Sequence, residues 1–279
     1  MKLRKQFILL LALSIGSGLQ AQNRSCCSPD AMETYSRNAS DKDFIQMHEE
    51  PLPFIFRSDR GKDIHFSTAD GTEAHAWESK ALKPTENYLF VIHEWWGLND
   101  YIKQTAEKLG DELGMNVIAL DLYDNKVAGT PDDAAKYMQS ASKERILNII
   151  KGAFAYAGQK AKVFTIGWCY GGGWSLQAAL VGGKQVSGCV MYYGQPEKDV
   201  DKLKNLNCDV IGFFGNQDQW TNPQIVDTFI SDMDKAGKKI LINRYEAVHG
   251  FANPSNPKFN REATEDAWAK TVAFIKARM

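Results

Sequence analysis

The stretch that decides the fold reads Lys162-Val-Phe-Thr-Ile-Gly-Trp-Cys169-Tyr-Gly-Gly-Gly173. An apolar run of strand character ends here in Gly-Trp-Cys-Tyr-Gly, and a segment of helical pattern begins directly after it. Glycines two residues before and two residues after Cys169 permit a strained turn and close packing of the helix against the strand. The pattern therefore predicts a nucleophile elbow, with cysteine at the position that serine usually holds.

This elbow gives Cys169 a chemical role. Its sulfur is expected at the N-terminus of the following helix, where the helix dipole favours the thiolate. The backbone N–H of Tyr170 is expected to donate to the oxyanion that develops during acyl transfer. A buried structural cysteine at a tight turn is the alternative. Ser175 fails as a nucleophile, because Gln177 stands where the closing glycine is needed.

The rest of the chain alternates strand-like and helix-like segments. Apolar runs without alternation, such as Leu89-Phe-Val-Ile92, are typical of strands covered on both faces. Predicted strands occupy residues 64–67, 74–78, 88–93, 116–122, 162–168, 186–193, 210–215 and 240–245, and predicted helices 101–113, 131–156, 172–181, 223–236 and 263–278. This order predicts an α/β fold with a mostly parallel central sheet, helices on both faces and an antiparallel hairpin at one edge.

Two partners for the cysteine follow later strands, at the carboxyl-end edge where such sheets carry their active sites. Asp218 comes three residues after the strand at 210–215, and His249 follows the last predicted strand. The order Cys169, Asp218, His249 is the nucleophile–acid–histidine order of α/β-hydrolases, so we predict a catalytic triad. Three histidines are not expected to act as the base, since they lie in the N-terminal segment or the edge hairpin: His48, His65 and His75.

The segment Val91-Ile-His-Glu-Trp-Trp-Gly97 follows the first central strand. Glu94 is expected beside the elbow, where its carboxylate pairs with the thiol of Cys169. The backbone N–H of Trp95 is then the second oxyanion donor, and His93 is expected to be structural. A zinc-protease site is excluded, because no second histidine follows at His-Glu-x-x-His spacing.

The N-terminus predicts export. A short basic region, an apolar run at 7–15 and small residues up to Ala21 form the layout of a secretory signal peptide, which is too short for a membrane span. We expect cleavage of residues 1–21 and a periplasmic or secreted protein without stable membrane association. Lipoprotein processing at Cys26 is the alternative, although residues 23–25 lack the apolar lead-in of such sites.

Composition bounds the remaining possibilities. Residues 22–53 are polar and irregular, so we predict a mobile or loosely docked leader, followed by one α/β domain at 54–279. A net charge of −1 without a basic run excludes a nucleic-acid surface. The five cysteines show no framework spacing. Cys189 and Cys208 are interpreted as buried apolar side chains without a chemical role, and the roles of Cys26 and Cys27 stay open.

From about residue 64 to the C-terminus, the sequence resembles the dienelactone hydrolase (carboxymethylenebutenolidase) family. The resemblance rests on segments in matching order and spacing: His93-Glu-Trp-Trp-Gly-Leu-Asn99, Asp121-Leu-Tyr123, Gly167-Trp-Cys-Tyr-Gly-Gly172, Gly215-Asn-Gln-Asp218 and His249-Gly-Phe251. It implies an α/β-hydrolase sheet of about eight strands and a Cys-His-Asp triad. It also implies a glutamate, here Glu94, that holds the resting thiol until substrate displaces it.

Two positions depart from the family pattern. Family enzymes that cleave dienelactone hold the substrate carboxylate with two arginines, and these positions carry Asn125 and Asn253 here. Neither asparagine forms the bidentate pair that arginine makes with a carboxylate. The resemblance therefore predicts the type of reaction better than it predicts the substrate. The other predicted substrate-binding residues are aromatic pocket walls, for each of which core packing is an equal alternative: Trp96, Tyr123, Trp220 and Phe251.

We therefore predict hydrolysis of a small-molecule ester or lactone through a covalent thioester on Cys169, with no metal or organic cofactor. Thioesterase or amidase action is the alternative among enzymes. A non-catalytic binding protein that keeps the elbow for its structure is the alternative outside them. The sequence does not determine the oligomeric state.

Overall fold

A computed structural model describes residues 30–279. The predicted signal peptide and the pair Cys26 and Cys27 lie outside these residues. Within them the strands are β1 (Lys62–Ser67), β2 (Glu73–Ser79), β3 (Asn87–Ile92), β4 (Asn116–Leu120), β5 (Lys162–Trp168), β6 (Val186–Tyr192), β7 (Asp209–Gly215) and β8 (Ile240–Tyr245). The α-helices of this part are α1 (Ala31–Ser36), α2 (Lys42–Gln46), α3 (Asp100–Leu113), α4 (Pro131–Ser140), α5 (Lys143–Ala157), α6 (Tyr170–Gly182), α7 (Val200–Leu203), α8 (Pro223–Lys235) and α9 (Arg261–Lys276).

The strands form one sheet in the order β1-β2-β4-β3-β5-β6-β7-β8. The first two strands pair as the predicted antiparallel edge hairpin, and β2 pairs antiparallel with β4. All other neighbours are parallel. The predicted mostly parallel α/β sheet is therefore confirmed. Because β3, β5, β7 and β8 run in one direction, the loops that follow them meet at one edge.

Helices cover the middle of the sheet. Every residue of β4 is buried, as are residues 89–92 of β3. Alternate side chains of a strand point to opposite faces, so both faces must be covered there. Helix α3 packs with α9, and α5 packs with α6. No helix within residues 30–279 is long and apolar enough to cross a membrane.

One predicted helix is divided in the structure. The sequence pattern predicts a single helix over 131–156, whereas α4 ends at Ser140 and α5 begins at Lys143. The side chain of Ser142 accepts a hydrogen bond from the backbone N–H of Arg145 at 3.1 Å and caps α5. Such a cap competes with continuation of the preceding helix. Serine before an apolar periodic run is also a helix start signal in the sequence.

The described part of the leader is docked on the domain. Asp30 and Asp41 cap α1 and α2 by accepting hydrogen bonds from backbone N–H groups of the first turn. The side chains of Met32, Tyr35 and Phe44 are at most 2% exposed and belong to the hydrophobic core. This differs from the loosely docked segment that its polar composition predicts. The reason is that Met32, Tyr35 and Phe44 bury their side chains in the core, although Leu52 of the same segment stays exposed.

Candidate active site

Cys169 lies at a strained elbow between β5 and α6. Its backbone is in a conformation that non-glycine residues rarely adopt, with φ 54° and ψ −117°. A Cβ on Gly167 would overlap the carbonyl oxygen of Gly171, and a Cβ on Gly171 would overlap that of Ile92. Both glycines are thus required by close backbone approach. Strain of this kind costs about 1–3 kcal/mol and is kept where the surrounding structure enforces it.

His249 and Asp218 meet in the loops after β8 and β7. Nδ1 of His249 lies 2.7 Å from Oδ2 of Asp218, and both side chains are buried. Oδ1 of Asp218 accepts hydrogen bonds from the backbone N–H groups of Trp220 and Thr221, at 2.7 and 2.9 Å. Burial raises the pKa of Asp218, but the charge of His249 and these hydrogen bonds outweigh burial and lower it. The ionised carboxylate fixes a proton on Nδ1 of His249.

Cys169 faces the same imidazole. Its Sγ and a ring nitrogen of His249 lie within 4.8 Å of each other. Nε2 of His249 is buried and has no hydrogen-bond partner within residues 30–279. Burial lowers the pKa of His249, yet the charges of Asp218 and Cys169 more than offset burial and raise it well above its ordinary value. The structure thus brings the three predicted triad residues together around a strong base.

The two predicted oxyanion donors lie beside the elbow. Tyr170 is the first residue of α6, and Trp95 follows β3, the strand whose end packs against Gly171. In the part of the chain that the structure describes, neither backbone N–H donates a hydrogen bond. Free N–H groups at a helix N-terminus and a neighbouring strand end are what a tetrahedral oxyanion requires.

Glu94 is held by partners other than the thiol. The hydroxyl of Tyr193 donates to Oε1 at 3.0 Å, and Nδ2 of Asn253 donates to Oε2 at 2.6 Å. Burial raises the pKa of Glu94 to about 7, against the effect of both hydrogen bonds. The expected pairing with Cys169 is not among the hydrogen bonds of residues 30–279. Both carboxylate oxygens are already engaged, and the hydroxyl of Tyr35 contacts the sulfur instead, at 3.4 Å.

A cavity of about 210 Å³ lies next to Glu94. Trp96 and Asn253, two of the predicted substrate-binding residues, line it together with Trp168 and Tyr192. Its wall is mainly apolar, with a few polar side chains, as in most small-molecule sites. Asn253 reaches it with an amide that is already bonded to Glu94.

The other four predicted wall residues lie elsewhere. Asn125 is exposed and borders a separate depression beside the edge hairpin. Tyr123 and Phe251 are at most 3% exposed and belong to the hydrophobic core. Trp220 packs under Phe44 of α2, with ring centroids 5.0 Å apart. The position of an aromatic residue directly after a strand therefore does not predict whether it lines a pocket or packs in the core.

Comparison with known proteins fits this geometry. The model of the dienelactone hydrolase family matches residues 74–279. The chain belongs to the dienelactone hydrolase family. It is accordingly a hydrolase of the family that includes the carboxymethylenebutenolidases, which act on esters or lactones.

Individual proteins that are similar to this dienelactone hydrolase family member support the same family assignment. The carboxymethylenebutenolidase of a Pseudomonas species is 26% identical over 202 residues, which are 67% of this chain and 83% of the relative. Protein usf of Aquifex pyrophilus is 28% identical over 201 residues, 67% of this chain and 87% of the relative. A dienelactone hydrolase-like promiscuous phosphotriesterase from metagenomic libraries has a solved structure with a TM-score of 0.66 at 18% identity. That likeness covers 78% of this chain and 99% of the other and concerns the fold alone.

Two residues at the site of this dienelactone hydrolase family member lie before the family match. Tyr35 contacts the sulfur, and the ring centroid of His48 lies 5.9 Å from that of His249 and 4.1 Å from that of Trp95. Both residues belong to the segment 22–53, for which the sequence predicts no part in the site. The segment Asp30-Ala-Met-Glu33 carries a helix start signal, but no pattern in the sequence states where that helix docks.

Proposed function

We propose that this member of the dienelactone hydrolase family cleaves a carboxylic ester or lactone through a thioester on Cys169. The observation that carries the proposal is a buried arrangement at a strained elbow: Asp218 is hydrogen-bonded to His249, and the sulfur of Cys169 lies within 4.8 Å of a ring nitrogen of His249. Nucleophile, base and orienting acid in this arrangement are what acyl transfer requires.

In the proposed acylation, Nε2 of His249 takes the proton of the Cys169 thiol and the sulfur attacks the ester carbonyl carbon. The backbone N–H groups of Trp95 and Tyr170 donate to the resulting oxyanion. As the carbon–oxygen bond to the alcohol breaks, His249 returns the proton to the leaving oxygen. Asp218 keeps Nδ1 protonated throughout, so that only Nε2 exchanges the proton. His249 then deprotonates a water that attacks the thioester carbonyl carbon. The carbon–sulfur bond breaks, the acid is released, and His249 returns the proton to the sulfur of Cys169.

Glu94 has a gating role in this proposal. It lines the cavity, which neither Cys169 nor His249 does, and it is hydrogen-bonded to Tyr193 and Asn253. A pKa of about 7 makes the loss of its charge inexpensive when substrate arrives. In this proposal, substrate that displaces Glu94 reaches the sulfur.

The proposed substrate carries no required carboxylate. Asn125 and Asn253 stand at the arginine positions of dienelactone-cleaving enzymes, and the structure engages Asn253 with Glu94. A buried acidic group beside the cavity disfavours an anionic substrate further, because like charges repel strongly at low dielectric. We expect short neutral esters and lactones to be cleaved at least as well as their carboxylated analogues.

The test is turnover of para-nitrophenyl acetate and a panel of lactones by the parent and by Cys169→Ala. Cys208→Ala is the matched control, since this partly buried thiol lies directly before β7 and has no role in the proposal. We expect loss of turnover in Cys169→Ala alone, and an acetyl adduct on Cys169 in rapidly quenched parent protein. Equal turnover by Cys169→Ala would remove the nucleophile assignment. Preference for thioesters or amides would favour those activities, and no turnover of any acyl compound would favour the binding protein.

We further propose that the chain is exported after cleavage of residues 1–21. The supporting observation is the order of basic, apolar and small residues at the N-terminus. N-terminal sequencing of the protein recovered from outside the cytoplasm tests the proposal. A mature chain that begins near Gln22 is expected, and an intact Met1 in that fraction would contradict it.

A further inference from the structure

One cluster of side chains at the elbow exceeds what hydrolysis needs. His48, Cys169 and His249 each bring one nitrogen or sulfur atom to within 4.8 Å of the others. The proposed reaction uses Cys169 and His249 but gives His48 no task. Nε2 of His48 is nevertheless buried without a hydrogen-bond partner among residues 30–279, as is Nε2 of His249. Catalysis explains the nitrogen of His249, but a buried nitrogen without a partner at His48 is costly unless a ligand satisfies it.

We propose that His48, Cys169 and His249 form a three-ligand site for a thiophilic divalent cation, best suited to Zn²⁺. Thiolate and imidazole ligands select zinc and its neighbours over magnesium and calcium. Three protein ligands leave a fourth, open position, as in non-structural zinc sites. The geometry needs modest adjustment, because Zn–S and Zn–N bonds of about 2.3 and 2.1 Å place tetrahedral ligand atoms roughly 3.5 Å apart.

Both imidazoles are already oriented for a metal. Nδ1 of His48 lies 2.7 Å from the carbonyl oxygen of Phe44, which can only accept, so Nδ1 carries the proton. Nδ1 of His249 is bonded in the same way to the carboxylate of Asp218, at 2.7 Å. Each histidine therefore turns Nε2 toward the cation, and any proton on that nitrogen leaves when the metal binds. Metal-binding histidines usually donate their other N–H to a carboxylate or a backbone carbonyl, and the two partners here are one of each.

The position of His48 is fixed by packing. Its ring lies between Phe44 and Trp95, with centroid distances of 4.6 and 4.1 Å. Phe44 is fully buried and packs in turn on Trp220. The described leader thus carries a ligand to the catalytic pair, and it lies outside the residues that match the family. The site belongs to this chain's leader combined with the family's elbow.

Binding of zinc would stop hydrolysis reversibly. The cation displaces the thiol proton of Cys169, and any proton held on Nε2 of His249, to solvent, and a Zn–S and a Zn–N bond form in their place. Neither atom is then free to attack or to move a proton. This effect on rate rests on the proposed function, whereas the binding itself does not.

The experiment uses the full chain with Co²⁺ as a spectroscopic probe and Zn²⁺ in competition with a chromophoric chelator. A bound cobalt–thiolate pair gives an intense charge-transfer band in the near ultraviolet. We expect this band in the parent and its loss in Cys169→Ala. We expect His48→Gln to lower the affinity for zinc by about tenfold or more. Inhibition of ester turnover should then need a correspondingly higher zinc concentration. His75→Gln is the matched control, because His65 and His75 form the other adjacent histidine pair of the described chain, at 2.6 Å.

The outcomes separate the possibilities. Absence of the charge-transfer band in the parent overturns the site, whatever the enzyme activity. Equal zinc affinity of the parent and His48→Gln shows that the leader supplies no ligand and also overturns it. Loss of binding in His75→Gln alone assigns the metal to the edge hairpin. If His48→Gln unfolds, protection of Cys169 from iodoacetamide by zinc in the parent, read by peptide mass spectrometry, decides instead. Failure of ester hydrolysis leaves the cobalt spectrum and this protection as independent readouts.

Discussion

Replacement of Asp218 by Asn is the sharpest test of the catalytic arrangement. The amide keeps the shape of the carboxylate, and its oxygen still accepts the hydrogen bonds from the N–H groups of Trp220 and Thr221. Its nitrogen then takes the place of Oδ2, 2.7 Å from Nδ1 of His249. Because an amide nitrogen donates, His249 must turn its proton to Nε2. The nitrogen that faces Cys169 can then no longer accept the thiol proton.

The magnitude follows from this change of tautomer. Comparable replacements in acyl-transfer triads lower kcat by about 10⁴-fold. At roughly 1.4 kcal/mol per factor of ten, this corresponds to about 5.5 kcal/mol of transition-state stabilisation. The fold should be affected much less, by about 1–3 kcal/mol, since one charge-assisted hydrogen bond is lost in a buried site. The pKa of His249 should also fall, because the charge of Asp218 is the main influence that raises it.

The assay is the pH dependence of kcat/KM for a para-nitrophenyl ester, together with urea unfolding. We expect the loss in Asp218→Asn to be largest near neutral pH and to shrink in alkali, where hydroxide can take the proton that His249 no longer accepts. Asp209→Asn is the matched control, because Asp209 opens the same strand at its other end and pairs with Arg278 at 2.6 Å. More than a tenth of parent activity in Asp218→Asn, with an unchanged pH profile, would refute the orienting role of Asp218.

Three further predictions concern the leader, the elbow and the buried glutamate. Phe44→Ala should lower the free energy of unfolding by about 3–5 kcal/mol in urea titrations, because a fully buried ring is removed; no loss would mean that the leader is not docked in solution. Gly171→Ala should abolish turnover and lower the melting temperature, since its Cβ would overlap the carbonyl oxygen of Ile92. Gly129→Ala is the control and should change neither, because a Cβ there meets no atom of residues 30–279 within 4 Å and its backbone is not in the left-handed region. Glu94→Gln should change how stability depends on pH. Burial raises the Glu94 pKa from 4.5 to about 7, so the folded parent loses roughly 3 kcal/mol as pH rises through this window, and the variant should not. Equal slopes for parent and Glu94→Gln between pH 5 and 8 would show that Glu94 ionises normally.

Local sequence alone determined the sheet and the triad. The elbow could be predicted from the sequence because close backbone contacts require Gly167 and Gly171, and both glycines lie within one strand-to-helix segment. Asp218 and His249 could be predicted because the loops that follow parallel strands lie at one edge of the sheet. Residues that follow different strands in the sequence are therefore close together in space. The break between α4 and α5 also has a local cause, the helix cap at Ser142. The hydrophobic periodicity alone predicted one continuous helix across it.

Only the tertiary structure decided what surrounds the sulfur. Tyr35 and His48 reach Cys169 and His249 from residues more than 120 positions away along the chain, with no periodicity that links them. The partners of Glu94 were undecided for the same reason, since its choice between the thiol and Asn253 depends on side-chain competition within a buried space. Sequence patterns specify which face of an element is buried. They do not specify which distant element covers it, because that choice depends on packing summed over the whole molecule.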